Sequence, residues 1–439
     1  MALSEDDLEP IGTDTGVDIL TPDDAANQAF VRANLPRNFA AHFSHGMLGM
    51  TGFRLINAPT IVPNYIFMLT GSTFMVGLSQ ALQQAGSILS PLLSATAIED
   101  KKRIMPYAGR TGMLMRVPLA GIALAGWLLS GWPLAIITTA FLFMLGYYSG
   151  AQRVAFQTLM AKVIPLSRRG RLQGYRNLAG GAIAAGLSWW AGDYLIDNNI
   201  FGNGYATTFA LSFVLTSLGL TVLVLMMREP DSHDVRPSMR LRERMRDMPA
   251  LLADTHYRNF LIAQLLTTGG RIALPFCILH AGEALTLDGK TLGLLSLAFL
   301  GADTGSNLLW GAMGDRRGFR SVFIASLLLW VIGYGWMLMA HDMAGFAIAF
   351  IFLGAASSGY TMGSQTMVLE FGNRENTAMR LAISTTAETI IASIGPIIGG
   401  ILAAVTGFVS LIGVSAAMLC LAYAVLILGV TDPRHLRRG

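Results

Sequence analysis

Five ionisable side chains stand inside otherwise apolar stretches of this chain: Arg54, Arg153, Arg271, Asp303 and Glu388. A guanidinium is a planar fork of donors that stays charged and meets a carboxylate or phosphate with two parallel hydrogen bonds. A carboxyl group in the same surroundings can exchange a proton, because burial favours the neutral acid and a neighbouring arginine favours the anion. Three arginines against two acids leave one positive charge when all are ionised. This set suits binding of an anion between Arg54 and Arg271, with Arg153 as a further contact and Asp303 and Glu388 as sites of proton uptake. It equally suits static pairs, Arg271 with Asp303 and Arg153 with Glu388.

The elements that carry these residues follow from composition. Of 439 residues, 53% are hydrophobic, only 13% are charged and 48 are glycine, whereas a soluble protein carries about a quarter charged residues. That excludes a soluble enzyme, a nucleic-acid binder and a disordered chain. At about 20 residues per membrane crossing, the chain holds about a dozen. Apolar runs bounded by charges or turn residues predict spans 1 to 6 near 38–69, 72–97, 106–129, 132–163, 172–196 and 205–227. Spans 7 to 12 follow near 258–283, 291–313, 320–340, 343–369, 377–403 and 407–430. The expected fold is an all-α membrane protein of twelve transmembrane helices in two pseudo-symmetric six-helix bundles.

Half the thickness of a bilayer core, about 15 Å, corresponds to about ten helical residues. The five ionisable residues lie 10 to 16 residues from the boundary, on the side of the termini, of spans 1, 4, 7, 8 and 11, which puts them near mid-membrane. Facing lipid there costs about 2.5–3.5 kcal/mol each, so they are expected to face a cavity or one another. Neutral polar residues at similar depth complete the candidate binding set: Asn57, Gln84, Gln152, Gln365, Tyr147 and Tyr360.

With both termini on one side, the segments on that side hold 24 Lys and Arg, against Lys290 alone on the other. The bias of basic loops predicts that both termini are cytoplasmic. The expected organisation is an acidic tail over 1–36, a first bundle over 37–227, a linker over 228–257, a second bundle over 258–430 and a basic tail over 431–439. Residues 1–36 lack the basic start and apolar core of a cleaved signal and read as a disordered tail. Cys277 and Cys420 lie in apolar spans and fit neither a disulfide framework nor a zinc site. His42 and His45 stand near methionines, but no metal and no cofactor is expected.

The halves repeat. The string G-Y-Y-S-G-A-Q at Gly146–Gln152 returns as G-Y-T-M-G-S-Q at Gly359–Gln365, which pairs Gln152 with Gln365, Tyr147 with Tyr360 and Arg153 with Thr366. Arg54, Gly77 and Glu99 are spaced almost as Arg271, Gly293 and Asp315 are. Two parallel copies of a six-helix unit characterise one large class of secondary transporters.

Over about residues 38–430 the chain resembles the major facilitator superfamily. The stretch G-A-M-G-D-R-R-G-F-R at Gly311–Arg320 fits the family's loop signature G-x-x-x-D-R-x-G-x-R, which implies gating roles for Gly311, Asp315, Arg316 and Gly318. The first half keeps only acid followed by base in A-I-E-D-K-K-R from Ala97, with Glu99 and Asp100 at the corresponding place. The segment R-R-G-R-L-Q-G-Y-R-N after span 4 resembles a poorly characterised bacterial branch, which implies a bacterial inner membrane. Superfamily members that exchange organophosphates for phosphate are similar in placing one arginine on helix 1 and one on helix 7.

The function expected is transport rather than catalysis: a secondary active transporter for a small organic anion, proton-coupled, working by alternating access as a monomer in the lipid bilayer, with no nucleic-acid partner. The alternatives are efflux of drug-like amphipaths and, from another class, a membrane enzyme or assembly factor on the same fold.

Overall fold

In the computed structural model of the chain, residues 22–98, 101–231, 252–371 and 377–431 are described. Among the described residues the helices follow one another in the order of the twelve expected spans, and eight helices are long and apolar enough to cross a membrane. Span 1 is Pro22–Asn57 continued by Ile61–Thr70, span 2 Thr73–Ile98, span 3 Met105–Leu128 and span 4 Gly131–Val163. Span 5 is Leu166–Trp190 with a wider π-helical turn Ala191–Ile196, and span 6 is Gly204–Met226. Span 7 is Thr255–Gly270, a 3-10 segment Arg271–Phe276 and Cys277–Ala281. Spans 8, 9 and 10 are Gly289–Arg317, Phe319–Met339 and Met343–Glu370. Spans 11 and 12 form the continuous helix Thr377–Gly429, which turns at Gly407, where φ is +82° and glycine is the residue that adopts it without strain.

Short polar caps start several of these helices. Side chains of Asn203, Asp254, Asp288 and Asp342 accept hydrogen bonds from first-turn backbone N–H groups of spans 6, 7, 8 and 10, satisfying donors that a helix start leaves open. Span 1 begins at Pro22, well before the boundary expected near residue 38. Pro22 followed by Asp23 and Asp24 suits a first helical turn. The segment is also tied down: Arg37 donates to the Met226 carbonyl at 2.7 Å, and Asn38 exchanges two hydrogen bonds with the Arg228 backbone, both at 2.9 Å. Residues 1–21, most of the linker (232–251) and the basic tail from 432 lie outside the described residues, as do Glu99 and Asp100.

Within the first half, span 1 packs on spans 5 and 6, span 2 on span 4, and span 3 on spans 4 and 6; within the second, span 10 packs on spans 8 and 9, and span 7 on the helix of spans 11 and 12. The halves meet along two seams, span 2 against span 11 and span 5 against span 8. Both seams are closed at the end away from the termini, and glycine makes the approach possible. A Cβ on Gly77 would overlap the Pro396 carbonyl, and one on Gly192 would overlap the Gly289 carbonyl. Thr73 donates to the Gly400 carbonyl across the first seam at 2.9 Å. Asp197, at the end of span 5, accepts from the backbone N–H groups of Gly289 and Lys290, capping span 8 across the second.

Toward the termini the seam of spans 5 and 8 parts. Gly181 on span 5 still touches Thr304 on span 8. Gly174, two turns before Gly181 and therefore on the same face, has open space beside it, as has Gly311, two turns after Thr304. Spans 5 and 8 thus diverge from the level of Gly181 onward, and the molecule is closed on one side and open on the side of its termini.

Candidate functional site

Between the halves lies a cavity of about 460 Å³. Its closed end is made by Pro59, Pro275 and Pro396. The first two stand where span 1 breaks between Asn57 and Ile61 and where span 7 runs as a 3-10 segment. Irregular backbone at membrane depth is tolerated where it lines a cavity, and both breaks follow an arginine, Arg54 or Arg271, by a few residues.

The wall is rich in neutral donors and acceptors. Asn57, Gln80, Gln83, Gln84 and Ser87 come from the first half; Gln264, Thr268, Gln365, Ser384 and Thr385 come from the second. Gln83 donates to Asn57 at 2.8 Å and Ser384 donates to Gln264 at 2.6 Å. Three charges line the space: Arg153, Arg271 and Glu388. Glu388 accepts from Tyr360 at 2.8 Å and from Gln264 at 3.1 Å, and stands 3.7 Å from Arg271. The Arg271 guanidinium lies 4.7 Å from the Tyr360 ring centre and 5.6 Å from that of Trp330, the geometry of cation–π attraction. Arg153 is exposed to the cavity and has neither hydrogen bond nor ion pair among the described residues.

Arg54 is placed differently. Its Nη1 donates to Asp303 at 2.8 Å and to Thr304 at 2.9 Å, joining span 1 to span 8 across the two halves. Neither Arg54 nor Asp303 lines the cavity. The reason lies on span 5, where a Cβ on Gly181 would crowd both Thr304 and an Arg54 nitrogen. Glycine there leaves room for the arginine to pass to span 8. In the second half the corresponding arginine meets a side chain, Glu388 on span 11, and stays within its own bundle. The ion pairs are therefore Arg54 with Asp303 and Arg271 with Glu388, not the expected alternatives of Arg271 with Asp303 and Arg153 with Glu388.

The repeat also needs correction on spans 4 and 10. A Cβ on Gly146 would overlap the carbonyl of Gln83, six residues after the seam glycine Gly77. A Cβ on Gly354 would overlap the carbonyl of Phe299, six residues after the matching seam glycine Gly293. Gly150 touches Ser90, and Ser358 accepts a hydrogen bond from Ser306, which is the equivalent serine. The packing equivalents are thus Gly146 with Gly354 and Gly150 with Ser358, five residues earlier than the repeated string implies. Arg153 then corresponds to Thr361, which also lines the cavity, and Gln152 to Tyr360. Gln152 and Tyr360 are both buried; Gln152 packs against Gly112 of span 3 and does not line the cavity. Tyr147 stacks edge-on with Tyr148 away from it.

Asp315 and Arg316 are exposed at the terminal-side end of span 8, and Gly318, with φ of +85°, ends that helix by donating its N–H to the Gly314 carbonyl at 2.8 Å. Gln80, Gln83, Gln264 and Ser384 extend the set read from sequence. The glutamines carry the signal that marked Gln84, an amide inside an apolar run, whereas Ser384 carries none, since a serine hydroxyl can bond back to its own helix.

A family model, that of the Major Facilitator Superfamily, matches residues 260–439. No curated protein matches the chain in sequence. Among solved structures, a point mutant of the nucleoside transporter NupG superposes with a TM-score of 0.72 at 11% identity, covering 89% of this chain and 100% of that one. A second NupG structure gives 0.66 at 12% identity, covering 88% and 98%. A D-xylose-proton symporter gives 0.70 at 13% identity, covering 91% and 99%. Identities this low establish a shared fold.

Proposed function

We propose that the chain is a member of the major facilitator superfamily, a reading supported by the family model that matches residues 260–439 and by the fold, and that it moves a small carboxylate- or phosphate-bearing solute by proton-coupled alternating access. The observation that carries this reading is Arg153: a permanent cation facing the cavity with no acid paired to it among the described residues. Together with Arg271 and Glu388 it gives the cavity an excess of one positive charge. An anion between Arg153 and Arg271 gains two charge-assisted contacts, and the surrounding amides and hydroxyls satisfy the rest of a hydrogen-bonding solute.

Glu388 and Asp303 serve as proton carriers in this reading, each beside an arginine. Protonation of Asp303 releases Arg54, and with it a tie between the halves, as they rock. Asp315, Arg316 and the glycines Gly311 and Gly318 act where the terminal side closes, with Glu99 and Asp100 as their counterpart. In this reading the surplus of arginine on the terminal side supports a cytoplasmic orientation for it, in a bacterial inner membrane by the branch resemblance, and the cavity opens inward. The protein works as a monomer of two bundles, 37–227 and 258–430.

A second reading is favoured by the amide-rich wall and by what the solved relatives are named for, a nucleoside and D-xylose: a neutral polyhydroxylated solute held by Asn57, Gln83, Gln84, Gln264 and Gln365. Uptake into proteoliposomes, challenged with carboxylates, organophosphates, sugars and nucleosides, separates the two. Competition by anions that Arg153→Gln abolishes supports the first; competition only by neutral solutes, unchanged in that variant, replaces it with the second.

A further inference from the structure

On the outer surface of the first bundle, away from the central cavity, spans 3 and 6 enclose a groove of about 1360 Å³, larger than the roughly 300–1,000 Å³ of a small-molecule site. Its floor is apolar, made by Met113, Val117 and Ala120 of span 3 with Phe213, Leu220 and Val224 of span 6. Met113 is 69% exposed, and Val117 and Val224 are nearly half exposed, so this floor lies open to the hydrocarbon of the bilayer. At the terminal-side mouth the lining changes to Arg103, Arg110 and Arg228, and Arg116 stands further in.

Among the described residues the charges at the mouth do not cancel. Arg103 pairs with Asp231 at 2.6 Å. Glu229 is engaged by Lys162 at 2.8 Å and by the backbone N–H groups of Ile104 and Met105. Arg110 and Arg228 are exposed, and their side chains have no hydrogen bond or ion pair among the described residues. Arg116 is 3% exposed and donates to the carbonyls of Thr216 and Gly112. Carbonyl acceptors carry no net charge, so its charge too is uncompensated. Side chains of a helix lean toward its N-terminus, which for span 3 is the terminal side, and the bond to Gly112 follows that lean. Among the described residues, then, the two unpaired guanidinium groups of Arg110 and Arg228 stand at the mouth, where the apolar groove reaches the level of the headgroups, and the Arg116 charge lies deeper behind them.

We propose that this groove binds one anionic phospholipid, its phosphate between Arg110 and Arg228 at the mouth and its acyl chains along Met113, Val117 and Val224. Both requirements of such a ligand meet here and in register with depth: positive charge at the surface, where it attracts anionic headgroups, and continuous apolar contact below it. A soluble anion has no use for the floor, and a zwitterionic lipid has none for the excess charge.

The test is retention of lipid by the full-length protein. Protein in nanodiscs of mixed phosphatidylcholine and phosphatidylglycerol is extracted, delipidated stepwise and weighed by native mass spectrometry. Wild type is expected to retain phosphatidylglycerol in preference to phosphatidylcholine, and the Arg110→Gln/Arg228→Gln variant to lose that preference about tenfold. Arg317→Gln, which removes an exposed arginine on the same side of the membrane but outside the groove, is expected to keep it. A thermal melt of the double variant within a few degrees of wild type shows that the fold is intact, as expected for side chains that hold nothing else. Equal retention of both lipids, a preference surviving in the double variant, or displacement of phosphatidylglycerol by millimolar inorganic phosphate overturns the proposal, the last by assigning the arginines to a soluble anion.

Discussion

Arg271 is held from several sides, by the rings of Tyr360 and Trp330 and by Glu388, so its fork is fixed before any solute arrives. Lysine keeps the charge but loses both stacking and the planar pair of donors. Arg271→Lys is expected to weaken solute binding about tenfold, and Arg153→Gln, which removes a charge outright, by roughly 10- to 100-fold, the range set by about 1.5–3 kcal/mol for a hydrogen bond to a charged group. Titration of binding to purified protein checks both, and unchanged affinity in Arg153→Gln removes the anion reading. For Asp303→Asn the expectation is a split: exchange of labelled solute across proteoliposomes at equal concentration persists, while accumulation driven by a proton gradient is lost. The depth of these five charges was legible in the chain, because distance from a boundary converts to depth along a helix, whereas Arg116, buried eleven residues into span 3, was not marked. The pairing of the five was not legible, because Arg54 reaches Asp303 through a gap that Gly181 leaves on a third helix, and no local pattern reports on that.

Helices reach their working positions here through glycine, and the sequence carries that information unevenly. Gly77 and Gly293, marked by their spacing from Arg54 and Arg271, do sit at equivalent places on the two seams. The string shared by spans 4 and 10 misled by five residues because span 10 offers small residues at Gly354, Ser358, Gly359 and Gly363; identity of letters selected one set and packing uses another. Span boundaries were legible to within a few residues except at the starts of span 1, whose early polar turns are held by Arg37 and Asn38 rather than by an apolar face, and of span 5, which begins at Leu166 in a polar, arginine-rich turn. A side chain at a seam should act on the equilibrium between closed and open states more than on folding of either bundle. Gly192→Leu pushes a side chain into the Gly289 carbonyl and the Gly293 backbone, an overpacking of about 1–3 kcal/mol felt only when the far side is shut. Expected is a shift of the population away from the terminal-side-open state by up to roughly a hundredfold, measured as slower maleimide labelling of a cysteine introduced at Gln365. Labelling at the wild-type rate would show that the seam tolerates the leucine.

At the scale of the whole molecule, the two sides of the membrane are treated oppositely by the same pair of helices. Spans 5 and 8 touch through Gly192, Gly289 and Gly293 beyond the cavity and separate toward the termini, where Gly174 and Gly311 continue the contacting faces with nothing against them. Glycine spaced along a face that is not in contact has no packing role in the present state. Its use is in the other state, in which the halves have rocked, the far-side seam has opened, and the terminal-side faces approach as closely as the far-side faces do now. The Gly311 position of the loop signature acquires a physical role on this view, as the terminal-side counterpart of Gly293. A Gly174→Cys/Gly311→Cys variant, with Cys277 and Cys420 replaced by alanine, tests it. A disulfide requires Cα atoms about 4.4–6.8 Å apart, a separation the diverged helices do not offer while the terminal side is open. Oxidation is therefore expected to be slow at rest and faster under any ligand or substitution, Gly192→Leu among them, that opens the far side. Once formed, the bond should stop transport until reductant is added, and cavity cysteines should then label from the far side only. Rapid oxidation in the resting protein without loss of transport would mean that spans 5 and 8 do not part and rejoin in the cycle, and the two-sided use of these glycines would fall with it.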